Sequence, residues 1–279
     1  MHITISLVQM NVTAGRPEVN LARAQEAVRL AAEAGSERAS TGPNKPSSHH
    51  LVVLPELWGS GYALNHAAQH ADELGAGLFA EMAALARTHG VFLAGSLLER
   101  RGKAFFNTAT LYDPEGVLRG HYRKIHLFRL MDEHQYLQAG DAAPVYDLPW
   151  GRTALAICYD LRFPELFRQY ALEGAVVIVI PAQWPARRVE HWQTLLRARA
   201  LENQLVVAGC NRVGQDGIDG APFGGHSVVY DAWGRALAKG NGDEEKVITG
   251  MVDLTTVEQA RRFMPVFEDR RPDLYGGQY

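Results

Sequence analysis

Short apolar runs alternate with stretches of helical spacing along most of the chain. Ile3 to Gln9 alternates like a strand. Leu21, Ala24, Val28 and Ala31 follow one another at intervals of three and four residues, one stripe of a helix. Leu51 to Leu54 reads as a short buried strand. Leu78, Met82 and Leu85 mark a second helix, and Val91 to Leu98 the strand after it. The same alternation returns later, with a strand from Ala154 to Ile157, a helix from Pro164 to about Leu172 and a strand from Val176 to Ile180. Pro164 suits a first helical position and Gly174 the end of the same helix. Val189, Trp192, Leu196 and Ala200 predict a longer helix that leads into a strand from Leu205 to Ala208.

Two segments carry hairpin signals. Thr108 to Leu118 places Asp113-Pro-Glu-Gly116 between two apolar runs, and Ser227 to Leu237 places Asp231-Ala-Trp-Gly234 in the same way. They look alike and fall in opposite halves of the chain, which predicts a pseudo-twofold arrangement of βα units followed by a hairpin. Strands buried on both faces fit two mixed sheets covered outside by helices. The expected fold is therefore α/β, a four-layer α-β-β-α sandwich. No shift in composition marks a second domain, so residues 1–279 are read as one. Gly35 to His50 is polar and rich in Gly, Pro and Ser, and reads as a mobile surface loop.

Composition narrows the function more than the fold. The chain has 279 residues, 47% hydrophobic and 21% charged, with a formal net charge of −3, as expected of a soluble globular protein. No block of Lys or Arg suggests nucleic acid or an anionic membrane as a partner. Ala175 to Ile180, the longest strongly apolar run, is far too short to span a bilayer. Two cysteines and no signal-peptide pattern point to the reducing cytoplasm.

Chemistry enters where apolar runs stop. Cys158 stands between the run Thr153 to Ile157 and a helix started by Pro164, a turn that holds a thiol at the top of a sheet. Glu56 follows Leu51-Val-Val-Leu-Pro55, and Lys124 lies near the end of another strand. Singly, these would be a buried small hydrophobe, a solvated turn carboxylate and an exposed charge. Together they supply a nucleophile, a base and a cation at strand ends, where active sites of α/β proteins gather. A thiol needs such help, because it is mostly protonated at neutral pH. Glu56 is placed to take its proton, and Lys124 and the backbone N–H of Tyr159 to stabilise an oxyanion. Cys210 also ends a strand, but with no base in evidence it reads as structural. The histidines lack metal-ligand spacing, so no metal is expected. Gly214 to Gly220 lacks the Lys-Ser/Thr of a phosphate loop and reads as a turn.

Three stretches carry a resemblance. Leu54-Pro-Glu56-Leu-Trp, Tyr122-Arg-Lys124-Ile-His-Leu-Phe128 and Ile157-Cys158-Tyr-Asp-Leu-Arg-Phe-Pro-Glu165-Leu resemble, in order and spacing, the signature motifs of the nitrilase, or carbon–nitrogen hydrolase, superfamily. The resemblance runs from about Ile3 to Tyr275. It implies an amidohydrolase in which Glu56 is the general base, Lys124 the oxyanion stabiliser and Cys158 the nucleophile that forms a thioester. It implies no cofactor. Asp132 to Gly140 resembles the segment that carries a second glutamate, which makes Glu133 a fourth candidate.

Phe128 to His134, Pro181 to Pro185, His191 to Asn203 and Gly209 to Gly214 resemble the ω-amidase branch, whose members hydrolyse the terminal amide of 2-oxoglutaramate and related dicarboxylate monoamides. A related amidase or N-carbamoyl-amine hydrolase is the alternative, and a non-catalytic binding protein on the same fold a more distant one. A dicarboxylate monoamide needs a cation for its free carboxylate, and Arg129, Arg187, Arg188 and Arg212 follow strands near the expected mouth. Trp184, Tyr62 and Tyr159 are candidates for substrate contact. Asn203 and Asn211 are expected to fix loops by hydrogen bonds. Family members commonly form homodimers or larger homo-oligomers, and the tail Phe263 to Tyr275 could pack across such an interface or wrap its own chain.

Overall fold

In the computed structural model, which describes residues 1–41, 49–215 and 221–275, the alternating N-terminal segment forms β1 (His2–Gln9). The first half continues through α1 (Pro17–Thr41), β2 (His50–Val53), the short α2 (Ala67–His70), α3 (Gly77–His89), β3 (Phe92–Arg101), β4 (Ala104–Tyr112) and β5 (Leu118–Arg123). A connecting stretch holds the short α4 (Glu133–Tyr136) and β6 (Val145–Leu148). The second half has β7 (Gly151–Leu155), α5 (Pro164–Leu172), β8 (Val177–Ala182), α6 (Val189–Asn203), β9 (Val206–Asn211), β10 (Val228–Tyr230) and β11 (Ala236–Lys239). β12 (Lys246–Asp253) and α7 (Thr255–Phe263) follow. Among the described residues no helix is long and apolar enough to cross a membrane.

The strands make two six-stranded mixed sheets, in the orders β12-β1-β2-β3-β4-β5 and β11-β10-β9-β8-β7-β6. In the first, β1, β2 and β3 are parallel and β4 and β5 fold back antiparallel. The second repeats this, with β7, β8 and β9 parallel and β10 and β11 antiparallel. The pseudo-twofold pattern extends to single atoms in the two hairpin turns. Gly116 N–H donates to Asp113 O at 2.8 Å, and Gly234 N–H to Asp231 O at 2.9 Å. Each aspartate also binds an arginine Nε, Arg119 at 2.5 Å and Arg235 at 2.8 Å. Both glycines have positive φ, +76° and +67°, which a turn of this kind requires.

Period-two alternation decides which side of each strand meets which layer. Ile3, Ile5 and Leu7 of β1 share one core cluster with Val177 and Val179 of β8 and Val206 and Ala208 of β9. Val8 instead joins Ala24, Val28 and Ala31 of α1 and Phe79 and Met82 of α3. On the far side, Trp192, Leu196 and Ala200 of α6 are fully buried beside the second sheet. The layers are thus helix, sheet, sheet, helix, the expected sandwich.

Two expectations change. The polar stretch from Gly35 does not begin a loop, because α1 runs on to Thr41 and β2 already starts at His50. Gly35 is a contact residue, since a Cβ there would lie 2.3 Å from atoms of the His50 ring. The remainder of that predicted loop, 42–48, lies outside the described residues, as do 216–220 of the predicted glycine-rich turn. Asn203 fixes its own helix rather than a loop, donating to Arg199 O at 3.1 Å. Asn211 does tie loops, bonding both Trp184 N–H (2.7 Å) and Gly225 O (2.9 Å). After α7 the tail has no helix or strand up to Tyr275, and its Phe267 ring packs against Arg168 and Arg261 of its own chain.

Candidate active site

Three of the four site candidates are placed by the end of a strand, and the fourth by the start of a helix. β2 stops at Val53, and Leu54 N–H bonds Ala94 O at 2.7 Å, so the chain still tracks β3 as it delivers Glu56. Ser96 Oγ accepts Leu57 N–H at 2.9 Å and fixes the turn beyond it. Lys124 follows the last residue of β5, with its N–H on Asn107 O at 2.9 Å. Glu133 opens α4, and its Oε2 accepts Phe128 N–H at 2.7 Å. Cys158 begins a single 3₁₀ turn after β7, with φ of +45°. A non-glycine residue in that region costs about 1–3 kcal/mol. Asp160 offsets it. Its Oδ2 accepts Ile157 N–H and the Tyr122 hydroxyl, both at 2.8 Å, and its Oδ1 accepts His126 N–H at 3.0 Å. That carboxylate therefore ties the cysteine turn to the segment that carries Lys124.

Glu56, Lys124 and Glu133 are fully buried and in contact. Lys124 Nζ donates to Glu56 Oε1 at 2.7 Å and to Glu133 Oε1 at 2.6 Å. Tyr62 OH lies 3.0 Å from Glu56 Oε1 and 2.7 Å from Glu133 Oε1. Asn107 Nδ2 donates to Glu56 Oε1 at 2.8 Å, and Gln183 N–H to Glu56 Oε2 at 2.9 Å. Glu56 thus receives donors on both oxygens, which fixes the direction of its carboxylate. The Gln183 amide is itself set. Its Oε1 accepts Arg212 Nη1 at 3.0 Å and its Nε2 donates to Glu56 O at 2.7 Å.

The electrostatics follow from burial and from two carboxylates sharing one ammonium. Burial alone would lower the Lys124 pKa, but Glu133 and Glu56 outweigh it and hold the pKa above the usual lysine value. Burial raises the Glu133 carboxyl above 4.5, opposed by Lys124 and reinforced by Glu56. The Cys158 thiol is pushed well above its ordinary value by burial first and by the Glu56 charge second, with Lys124 pulling the other way. Cys158 is thus held as a thiol rather than as a standing thiolate.

Cys158 opens on a narrow cavity. Phe128, Tyr159, Trp184 and Pro185 wall it, and Gln183, Arg162 and Arg188 give it polar edges. Tyr159 and Trp184 are therefore cavity residues, whereas Tyr62 sits with the charged cluster. Arg129 and Arg187 are exposed and do not line this cavity. Arg212 is buried, directed at Gln183 and at Asn11 Oδ1 (2.8 Å), with its guanidinium 4.1 Å from the centre of the Phe223 ring. Cys210 has no such setting. Its sulfur rests 3.1 Å from Val53 O and 3.3 Å from Val8 O, inside the core.

Sequence reasoning did not single out Asn107, Gln183 or Arg162. Asn107 is the one polar amide in the run Ala104-Phe-Phe-Asn-Thr-Ala-Thr-Leu-Tyr112, a signal that was available. No group of three or more His, Cys, Asp or Glu side chains able to hold a metal ion occurs among the described residues.

Known proteins share both sequence and fold. The model of the carbon-nitrogen hydrolase family matches residues 4–262. The 2-oxoglutaramate amidase of Bacillus subtilis (strain 168) is 40% identical over 277 residues, which covers 99% of this chain and 100% of that protein. The human omega-amidase NIT2 is 31% identical, covering 97% of this chain and 96% of its own. Among solved structures, XC1258 from Xanthomonas campestris, a CN-hydrolase superfamily protein, superposes with a TM-score of 0.84 at 29% identity, over 97% of this chain and 98% of its own. The chain is a member of the carbon–nitrogen hydrolase family, within the nitrilase superfamily, and has the fold of that family.

Proposed function

We propose that the protein is an ω-amidase, hydrolysing the terminal amide of a 2-oxo dicarboxylate such as 2-oxoglutaramate and releasing ammonia. The observation that carries this reading is Lys124, bonded at once to Glu56 and Glu133 beside a thiol that opens on a small cavity. The similarity to 2-oxoglutaramate amidase supports the substrate.

In the proposed reaction, Glu56 takes the Cys158 proton as Sγ attacks the amide carbon, so that the thiolate forms only with substrate in place. An ammonium has three donors, and two of those on Lys124 are engaged by carboxylates. The third is available to the oxyanion of the tetrahedral intermediate, with the N–H of Tyr159 as second donor. Collapse breaks the C–N bond, and Glu56 returns its proton to the leaving ammonia. Glu56 then deprotonates a water that attacks the thioester. The carboxylic acid leaves, and the proton goes back to sulfur. Glu133 does no proton transfer in this scheme and holds Lys124 in place. The reaction requires no metal or other cofactor. The protein is further proposed to work in the cytoplasm as a homo-oligomer, as the reducing-compartment composition and the family resemblance suggest.

Cys158→Ala is expected to abolish ammonia release from 2-oxoglutaramate while leaving the circular dichroism spectrum unchanged. Retained turnover in the folded variant would sink the thioester mechanism. A panel of neutral amides, N-carbamoyl amines and dicarboxylate monoamides, read by ammonia release, distinguishes the ω-amidase from its relatives.

A further inference from the structure

We infer that Arg188 is the specificity-determining residue of the cavity and takes up the free carboxylate of the substrate. The inference rests on the reading of the substrate as a dicarboxylate monoamide and adds the group that selects it. Among the described residues, the cavity beside Cys158 is lined by two guanidinium groups and by no carboxylate. A cavity so charged favours an anion, and the planar fork of an arginine matches a carboxylate.

The two arginines are not equivalent. The Arg162 guanidinium lies 4.8 Å from the centre of the Trp184 ring, and its Nη2 is 3.3 Å from His191 Nδ1. Its face and one edge are therefore engaged. Arg188 Nη1 is buried and has no hydrogen-bond partner among the described residues. Among the described residues it is the one such orphaned polar atom that belongs to a residue lining the cavity. A buried charged donor left unpaired is costly, and a ligand oxygen relieves that cost. The backbone of Arg188 is fixed at both ends of its peptide unit. Its N–H bonds Pro185 O at 3.0 Å, and its carbonyl accepts Trp184 Nε1 at 2.8 Å. The unpaired donor thus hangs from an anchored turn, with the indole that anchors it forming the cavity wall.

The test compares kcat/KM for 2-oxoglutaramate with kcat/KM for pentanamide, an uncharged amide of the same carbon count, in the purified full-length protein. In Arg188→Gln the ratio is expected to fall roughly 100-fold, the scale of a lost charge-assisted hydrogen bond. Arg188→Lys, which keeps the charge but loses the fork, is expected to fall between the two and carries the test should the glutamine variant not fold. Calorimetric affinity for 2-oxoglutarate is expected to weaken in parallel, without any turnover. An unchanged ratio in Arg188→Gln, or a collapse of the ratio in Arg162→Gln alone, overturns the assignment. A wild-type protein that shows no preference for 2-oxoglutaramate over pentanamide overturns the substrate reading itself, and this inference with it. The wild-type comparison is separate from the variants, so the two failures are told apart.

Discussion

Glu133 is a fully buried carboxylate, and its behaviour with pH follows from its neighbours. Burial holds its pKa above 4.5, and Glu56 adds to the shift while Lys124 reduces it. Its charged form, which helps fix Lys124, therefore appears only as pH rises past the usual carboxylate range. The acid limb of kcat/KM is expected above pH 4.5 for this reason. Glu133→Gln removes that titration and also removes one of the two charges that raise the Lys124 pKa. We predict that kcat/KM falls about 100-fold, the low end of what a misplaced acid–base apparatus loses. The alkaline limb should also move down, as Lys124 loses its proton more readily. A pH–rate profile of Glu133→Gln that superposes on the wild-type profile would rule out this role.

At the scale of elements, Gly140 shows how a remote backbone contact sets the proposed catalytic side chain of Lys124. Its N–H bonds Lys124 O at 2.9 Å, and a Cβ would come within 2.2 Å of Arg123 O. That neighbour is backbone, so relief has to come from the end of β5. Gly140→Ala is expected to lower kcat/KM by about 10- to 100-fold with folding retained, because small displacements of reacting groups cost that much. Wild-type activity in the variant would show that β5 absorbs the clash. The strands and helices that carry the site were legible in the sequence because their apolar periods are clean, as in Leu21, Ala24, Val28 and Ala31. β6, β12 and α7 were not. Both strands have mainly half-exposed residues, and Gly250 interrupts β12, so neither stands out as an apolar run. Glu56 and Cys158 were legible because each ends an apolar segment, and Lys124 because it lies near a strand end within a recognisable motif. Asn107 and Gln183 were not, because their partner Glu56 is 51 and 127 residues away, and only the fold brings them to it.

For the molecule as a whole, one core cluster joins the inner faces of both sheets, from Ile3 and Leu51 to Val179 and Val207. Neither sheet can leave without exposing the other. Unfolding is therefore expected to be a single transition, although the chain is longer than most two-state proteins. Hydrogen exchange resolved to β2 and to β8 should report the same opening free energy. A lower value for one sheet would mean that the halves come apart separately. β2 and β8 hold corresponding places in their halves, and a polar residue follows each, Glu56 just after Pro55 and Gln183 directly after the last residue of β8. These two residues bond to each other. Two copies of one ancestral unit with a carboxylate at both strand ends would set like charges face to face. With an amide on one side, the second copy supports the first instead of repelling it. The asymmetry between these two strand ends lets a doubled scaffold gather its donors around one carboxylate, Glu56.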